Sequence, residues 1–386
     1  MDRRLNHDAI TQALQHKGLT QTQVAERLGI TRAAVSKWMR GLAFPRPPEL
    51  LKLGKLLGIG YGDLVRAPAP TLAEPIIAFR KRAATKTTLQ HRERAKDMGR
   101  LLRPVVRHLP FNEFISPSRL SEPSLEYGYL QGVVRKLREE LKISPSGPIG
   151  FEQLIGKFGE LQAVIVPVMW GQKDRHENAL HVYLPDSKTT WIYLNLDSHL
   201  YDFKFWMAHE LGHVLAVDLL TSGDEDLAED FSDAFAGALL FPEPSVGPVY
   251  PKYVAATTVQ QRISLLLEVA EAYVISPNTV YRQLESYHKA KEANVEFPAL
   301  TPKTLFSAIS LFKRRSRCVS EQLFKEGKPS AAEFLKVCSG VFKTPAFAAL
   351  AGYMKEVPVN DSTLSQMLDI PLVDARELRA SFTVKA

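Results

Sequence analysis

Two cysteines in 386 residues, Cys318 and Cys338, are too few for a disulfide framework or a thiolate zinc site, so a reducing cytoplasm is the expected compartment. The chain also lacks any apolar run near the roughly 18 residues that a bilayer-spanning helix needs, which argues against a membrane protein. Its first residues, MDRRLNHDAITQ, hold no apolar stretch followed by a small-residue cleavage site, so no export signal is expected there. What is present is the composition of a folded protein, 45% hydrophobic and 24% charged, in a length that suggests two or three domains. The charge is unevenly placed. Residues 1–150 carry 26 Lys and Arg against 13 Asp and Glu, while residues 151–386 carry 23 against 29. The basic half suits a polyanion such as DNA, and the mildly acidic remainder gives no reason to expect nucleic acid.

Residues 5–65 alternate short amphipathic helical patterns with Gly18, Gly29, Gly41 and Gly58, each placed where a helix-ending glycine is expected. This predicts an all-α bundle of four or five helices, with a first domain at residues 1–70. The segment APAPTLAEP, then a strongly basic helical stretch over 79–107 without a clear core face, then Pro104, Pro110, Pro117 and Pro123, read together as a basic, proline-rich linker over 71–125. A second domain is expected over 126–245. It begins with the helical pattern LEYGYLQGVVRKLREEL, continues with β-rich runs at 161–170, 179–184 and 190–196, and closes with helices near 203–217 and 225–240 that Pro242 and Pro244 stop. Residues 246–386 read as a helical C-terminal region of no legible role. The expected fold is therefore multidomain, an all-α domain followed by an α+β domain with a helical extension.

In GLTQTQVAERLGITRAAVSKWMRG, Thr20 is placed to cap a helix that buries Val24, Ala25 and Leu28, Gly29 allows a sharp turn, and Thr31 caps a second helix. There Ala34, Val35 and Trp38 face inward. Arg32, Ala33, Ser36 and Lys37 face outward near the N-terminal end, the end a recognition helix presents to base edges in the major groove. Gln21 stands where a phosphate meets the free N–H groups of the preceding helix.

In FWMAHELGHVLAV, His209 and His213 are four apart, so on a helix both imidazoles share one face and can bind one metal ion. Glu210 lies beside the first, where a carboxylate can take a proton from a water activated at the metal and pass it to a leaving amine. A hydrolytic zinc site wants a third protein ligand. The helix over 225–240 can supply it from an acidic face with the small neighbours Ser232 and Ala236: Glu229 is the first choice, Asp226 and Asp230 are alternatives, and Asp233 is placed to hold a histidine N–H. Two histidines and one carboxylate suit zinc.

Two resemblances follow from these residues. Over about residues 5–65, the run GLTQ..VAERLGI.R..VSKW.RG resembles the XRE, or lambda-repressor-like, helix-turn-helix family, which implies duplex DNA as partner and a homodimer on paired half-sites. Over about 126–245, a short sheet, HELGH on a helix, and then Glu229, Ser232, Phe235, Ala236, Leu239, Leu240 and Pro242 resemble the ImmA/IrrE metallo-endopeptidases. Glu229 falls where that family's third zinc ligand is expected, and Ser232 replaces a usual alanine. The resemblance implies a zincin-like fold, an endopeptidase acting on a repressor-like protein or on itself, and a part in a stress or mobile-element response. The alternative is a DNA-binding regulator or antitoxin whose zinc domain is a non-proteolytic sensor or binding module. A later segment, EVAEAYVISPNTVYRQLESY, reads as helix, turn and helix with Ser276 as cap and Pro277 at the first helical position; its low basic density favours packing over DNA reading.

Overall fold

The computed structural model describes residues 4–40, 43–66, 72–78, 89–111, 120–171, 178–291, 296–325 and 327–383. Gly41 and much of the stretch over 67–88 lie outside these. The chain divides into two units, Met1–Ala73 and Glu74–Ala386.

The first unit holds β1 (Arg4–Leu5), α1 (His7–His16), α2 (Gln21–Leu28), α3 (Arg32–Met39), α4 (Pro47–Leu57), α5 (Tyr61–Leu64) and β2 (Val65–Arg66). β1 and β2 pair antiparallel and join the ends of the unit. Its core is its own: Ile10, Val24, Leu28, Val35, Trp38, Leu50, Leu53, Leu57 and Leu64 form one buried cluster. Gly58 ends α4 in the left-handed region, at φ 72°, a conformation that costs glycine nothing.

The second unit is built on a four-stranded sheet in the order β3-β5-β6-β4, with β3 (Ile76–Ala78), β4 (Val164–Val168), β5 (Ala179–Leu184) and β6 (Thr189–Asn195). β4 runs parallel to β6, whereas β5 runs antiparallel to both β6 and β3. Every residue of β4, β5 and β6 is buried, which is why these segments read as near-continuous apolar runs without alternation. The helices in chain order are α6 (Leu89–Leu102), α7 (Tyr127–Glu140), α8 (Phe151–Glu160), α9 (Leu200–Leu215), α10 (Val217–Thr221), α11 (Glu225–Leu240), α12 (Glu243–Ala255), α13 (Val259–Tyr273), α14 (Pro277–Lys291), α15 (Pro302–Arg315), α16 (Val319–Leu323), α17 (Ala331–Phe342), α18 (Ala346–Glu356), α19 (Asp361–Leu368) and α20 (Leu372–Thr383). One continuous core runs from α6 to α20. α17 and α18 pack on β4, and the Thr344 hydroxyl donates to the Ile165 carbonyl, so that edge of the sheet is covered.

Three sequence expectations differ from this arrangement. From Glu74 onward, the described parts of 71–125, expected as a linker, belong to the second unit: β3 is a strand of its sheet, and α6 packs on β3 and β5. Among the described side chains, the buried stripe of α6 is Ala95, Met98 and Leu102 with Gly99 between them, too narrow to stand out among its arginines. Second, residues 246–386 are not a separate appendage but share the core of the sheet and α9. Third, α8 was not expected from the sequence; its apolar residues Leu154, Ile155 and Phe158 are spaced as a helix but follow directly on the turn-rich SPSGPIG.

Candidate functional site

In the first unit, the chain between α2 and α3 is shaped by local chemistry. The Thr20 hydroxyl accepts from the Gln23 N–H at 3.3 Å while the Thr20 N–H donates to Gln23 Oε1 at 2.9 Å, a reciprocal cap for α2. Gly29 takes φ 71° and turns the chain. Thr31 Oγ1 then accepts from the Ala34 N–H at 3.2 Å and starts α3. Burial of Val35 and Trp38 fixes the rotation of α3 about its axis. Thr31, Arg32, Ala33 and Lys37 are exposed, Ser36 is half-buried, and Gln21 is half-buried at the start of α2. The first turn of α3 thus offers solvent a short basic surface with no bulky apolar side chain in the way.

In the second unit, α9 and α11 pack against each other and bring three side chains to one point. His209 and His213 of α9 and Glu229 of α11 offer ligand atoms that lie within 4.8 Å of one another. The two Nε2 atoms are 3.1 Å apart, His213 Nε2 is 3.3 Å from Glu229 Oε1, and His209 Nε2 is 3.5 Å from Glu229 Oε2. Asp226 and Asp230 lie on the exposed side of α11. The close approach of the two helices depends on Gly212, where a Cβ would meet Ser232 Cα at 3.0 Å and Phe235 Cδ1 at 3.2 Å. Gly212→Ala is expected to destabilise the protein by about 1–3 kcal/mol through overpacking, although the same change at an open helical site gains up to about 1 kcal/mol. Thermal unfolding of the variant reads the sign, and a rise in Tm would show that the helices do not meet there.

The outer nitrogens are held as well. His209 Nδ1 lies 2.9 Å from Asp233 Oδ1, and His213 Nδ1 lies 3.0 Å from Ser232 Oγ. When both Nδ1 atoms donate outward, both Nε2 atoms present lone pairs to the same point as a carboxylate, an arrangement that a cation relieves. Three ligands at the corners of a tetrahedron with bonds of about 2.0–2.1 Å stand about 3.3 Å apart, and the three observed separations bracket that value. Glu229 Oε2 is buried and makes no hydrogen bond among the described residues. The residues therefore fit a divalent metal with two imidazoles and a carboxylate.

The electrostatics point the same way. Burial by itself pushes the His209 imidazole down, but the Asp233 and Glu229 carboxylates, with Glu210 nearby, outweigh it and raise the pKa to about 9. His213 is held below its ordinary value by burial and by its neighbour His209, despite Glu229. Burial would raise the Glu229 carboxyl, yet the two imidazoles hold it well below the usual carboxylate range. The Asp233, Glu229 and Glu210 carboxylates thus favour positive charge on His209.

Glu210 is 3% exposed and its Oε2 lies 3.1 Å from His181 Nδ1. His181 is in β5, fully buried, with its ring edge-on to that of His213 at 5.4 Å between centroids. Its Nε2 has no hydrogen-bond partner among the described residues. No motif marks this residue in the sequence. The available signal was a lone histidine in the middle of the apolar run ALHVYL, on the strand pair just before the metal motif. Trp206 stands edge-on to His209 at 5.3 Å and adds an apolar wall.

Two family models match the chain. Residues 10–64 match the helix-turn-helix model, and residues 163–285 match the model described as an IrrE N-terminal-like domain, of the M78 peptidase family. The second match continues past the boundary expected at 245 and takes in α12, α13 and most of α14, so the segment around Ser276 and Pro277 belongs to this domain. No curated protein matches the chain.

Proposed function

Given a chain that joins an XRE-type helix-turn-helix domain to an IrrE/ImmA-like domain of the M78 peptidase family, we propose that it is a DNA-binding regulator whose second domain is a zinc-dependent endopeptidase. The observation that carries this is the convergence of His209, His213 and Glu229 with Glu210 beside them. Zinc held by the three would supply Lewis acidity, polarising a peptide carbonyl and making water a better nucleophile near neutral pH. Glu210 is the general base: its carboxylate takes the proton of the attacking water and returns it to the leaving nitrogen. Asp233 and Ser232 orient the two imidazoles, and His181 holds one oxygen of Glu210. The substrate is a repressor-like protein or this chain itself, and the setting a stress or mobile-element response, as the family likeness implies.

A second reading has one observation in its favour. His209, Glu210 and His213 are only 1–3% exposed, which suits a sensor or partner-binding module that never admits a peptide. The two separate on substrate trapping in the native cell. A Glu210→Gln protein should hold its target uncut and co-purify with it, whereas the wild type releases fragments. Identical co-purifying proteins with no fragments from the wild type would favour the sensor.

On the DNA side, Gln21, Thr31, Arg32, Ala33, Ser36 and Lys37 form the proposed contact surface, and the protein binds its operator as a homodimer. Affinity should fall steeply as salt rises, since Lys and Arg displace counterions. Arg32→Ala or Lys37→Ala should weaken operator binding by about 1–3 kcal/mol where the side chain reads a base edge. Electrophoretic mobility shifts on operator and scrambled duplexes check this, and equal loss on both assigns the residue to phosphates instead.

A further inference from the structure

β5 is the strand beside the chemistry, because His181 in its middle touches Glu210 and stands against His213. A peptide cut at this site has a natural seat along the edge of β5 away from β6, where main-chain N–H and C=O groups repeat at the spacing of an extended chain. That edge is taken in this protein. β3 runs antiparallel along it, with Ile76 opposite Tyr183, Ile77 opposite Val182 and Ala78 opposite His181. We infer that β3 is an autoinhibitory strand, a segment of the chain itself that occupies the substrate edge and must leave β5 before an extended peptide can reach Glu210. The inference rests on the peptidase function proposed above and names how its substrate is held.

The placement of β3 supports this. It runs toward His181, and Ala78, opposite that histidine, packs with Leu220 and with Ala228, the neighbour of Glu229. An extended segment thus already lies against α11, which carries Glu229, and against α10, which follows the helix of the two histidines. The near-complete burial of His209, Glu210 and His213 is what a site closed by its own chain should show.

The attachment of β3 is also slight. It is three residues long, and Pro75 just before it has no N–H to give the sheet. Arg100 of α6 binds Glu74 through an exposed ion pair, a kind that contributes little and weakens with salt. A three-residue edge strand opens at lower cost than the longer strands of the sheet.

Two opposite variants of the full chain test the inference. Cross-strand neighbours in an antiparallel pair stand at a separation a disulfide can bridge, so the double variant Ile77→Cys, Val182→Cys locks β3 when oxidised. The native cysteines are buried and leave the new pair to itself. A Cβ at Gly99 would meet Pro75 Cβ at 2.6 Å and Val182 Cγ1 of β5 at 3.0 Å, so Gly99→Leu wedges α6 against both and presses hardest on the residue that leads into β3. The probe is a fluorescent peptide EPIIAFR, the sequence of residues 74–80, titrated into chelator-treated protein and followed by anisotropy. Gly99→Leu should bind it at least tenfold more tightly than the oxidised lock, and reduction of the lock should recover binding. Equal binding in the oxidised and reduced lock, or no binding by either the reduced lock or Gly99→Leu, overturns the inference. Hydrolysis of the same peptide after zinc is restored reports on the other question: binding that switches without any cleavage keeps the autoinhibitory strand and sinks the peptidase.

Discussion

His209→Ala and His213→Ala are each expected to empty the metal site, taking the purified protein from about one zinc per chain to a small fraction of that. Each substitution leaves one imidazole and one carboxylate, and two protein ligands hold zinc far less well than three. The separations that fit a tetrahedral site all involve one or both of these Nε2 atoms, so either loss removes two of the three. Glu229→Ala should act in the same direction, because Asp226 and Asp230 face solvent rather than the histidines. Asp233→Ala should do less, about a ten- to hundredfold loss in affinity, because Asp233 orients His209 through Nδ1 without reaching the metal. Metal analysis by mass spectrometry ranks the four. Full occupancy in Glu229→Ala would remove Glu229 from the ligand set.

Glu210→Gln should separate binding from chemistry. The amide keeps the shape of the carboxylate and a contact to His181, but it cannot take a proton, so fold, zinc and operator binding should remain. Peptide hydrolysis should fall by about a hundredfold or more, the usual contribution of a positioned general base. In cells, the promoter under this protein's control should keep its basal occupancy and stop responding to its signal. Normal induction in that strain would leave the zinc domain as a sensor.

Much of this was legible in the sequence, for reasons that differ by element. α2 and α3 announce themselves through Thr20, Gly29 and Thr31, whose capping and turn chemistry is local. α11 was readable to its ends because a regular apolar stripe ends at Pro242. The pairing of Glu229 with the two histidines was suggested by helical phase and by the small residues around Ser232; what the sequence did not show was that Gly212 supplies the other half of that close approach. β3 and His181 escaped notice together. A three-residue edge strand has no periodicity to detect, and its partner lies more than a hundred residues away, so neither its pairing nor the histidine's contact with Glu210 leaves a local trace. The helices of α15 to α20 were legible as helices, but their shared core with the sheet depends on long-range packing that no spacing encodes.

The central claim is that one zinc ion held by His209, His213 and Glu229 makes Glu210 a peptidase base, and a single titration tests it most directly. Zinc is added back to chelated full-length protein while occupancy and hydrolysis of a peptide substrate are followed in the same samples. The account predicts that hydrolysis by the wild type rises in step with occupancy and levels off near one zinc per chain, while Glu210→Gln binds the same zinc and stays at background. Hydrolysis that is independent of occupancy, or equal in the two proteins, would contradict it.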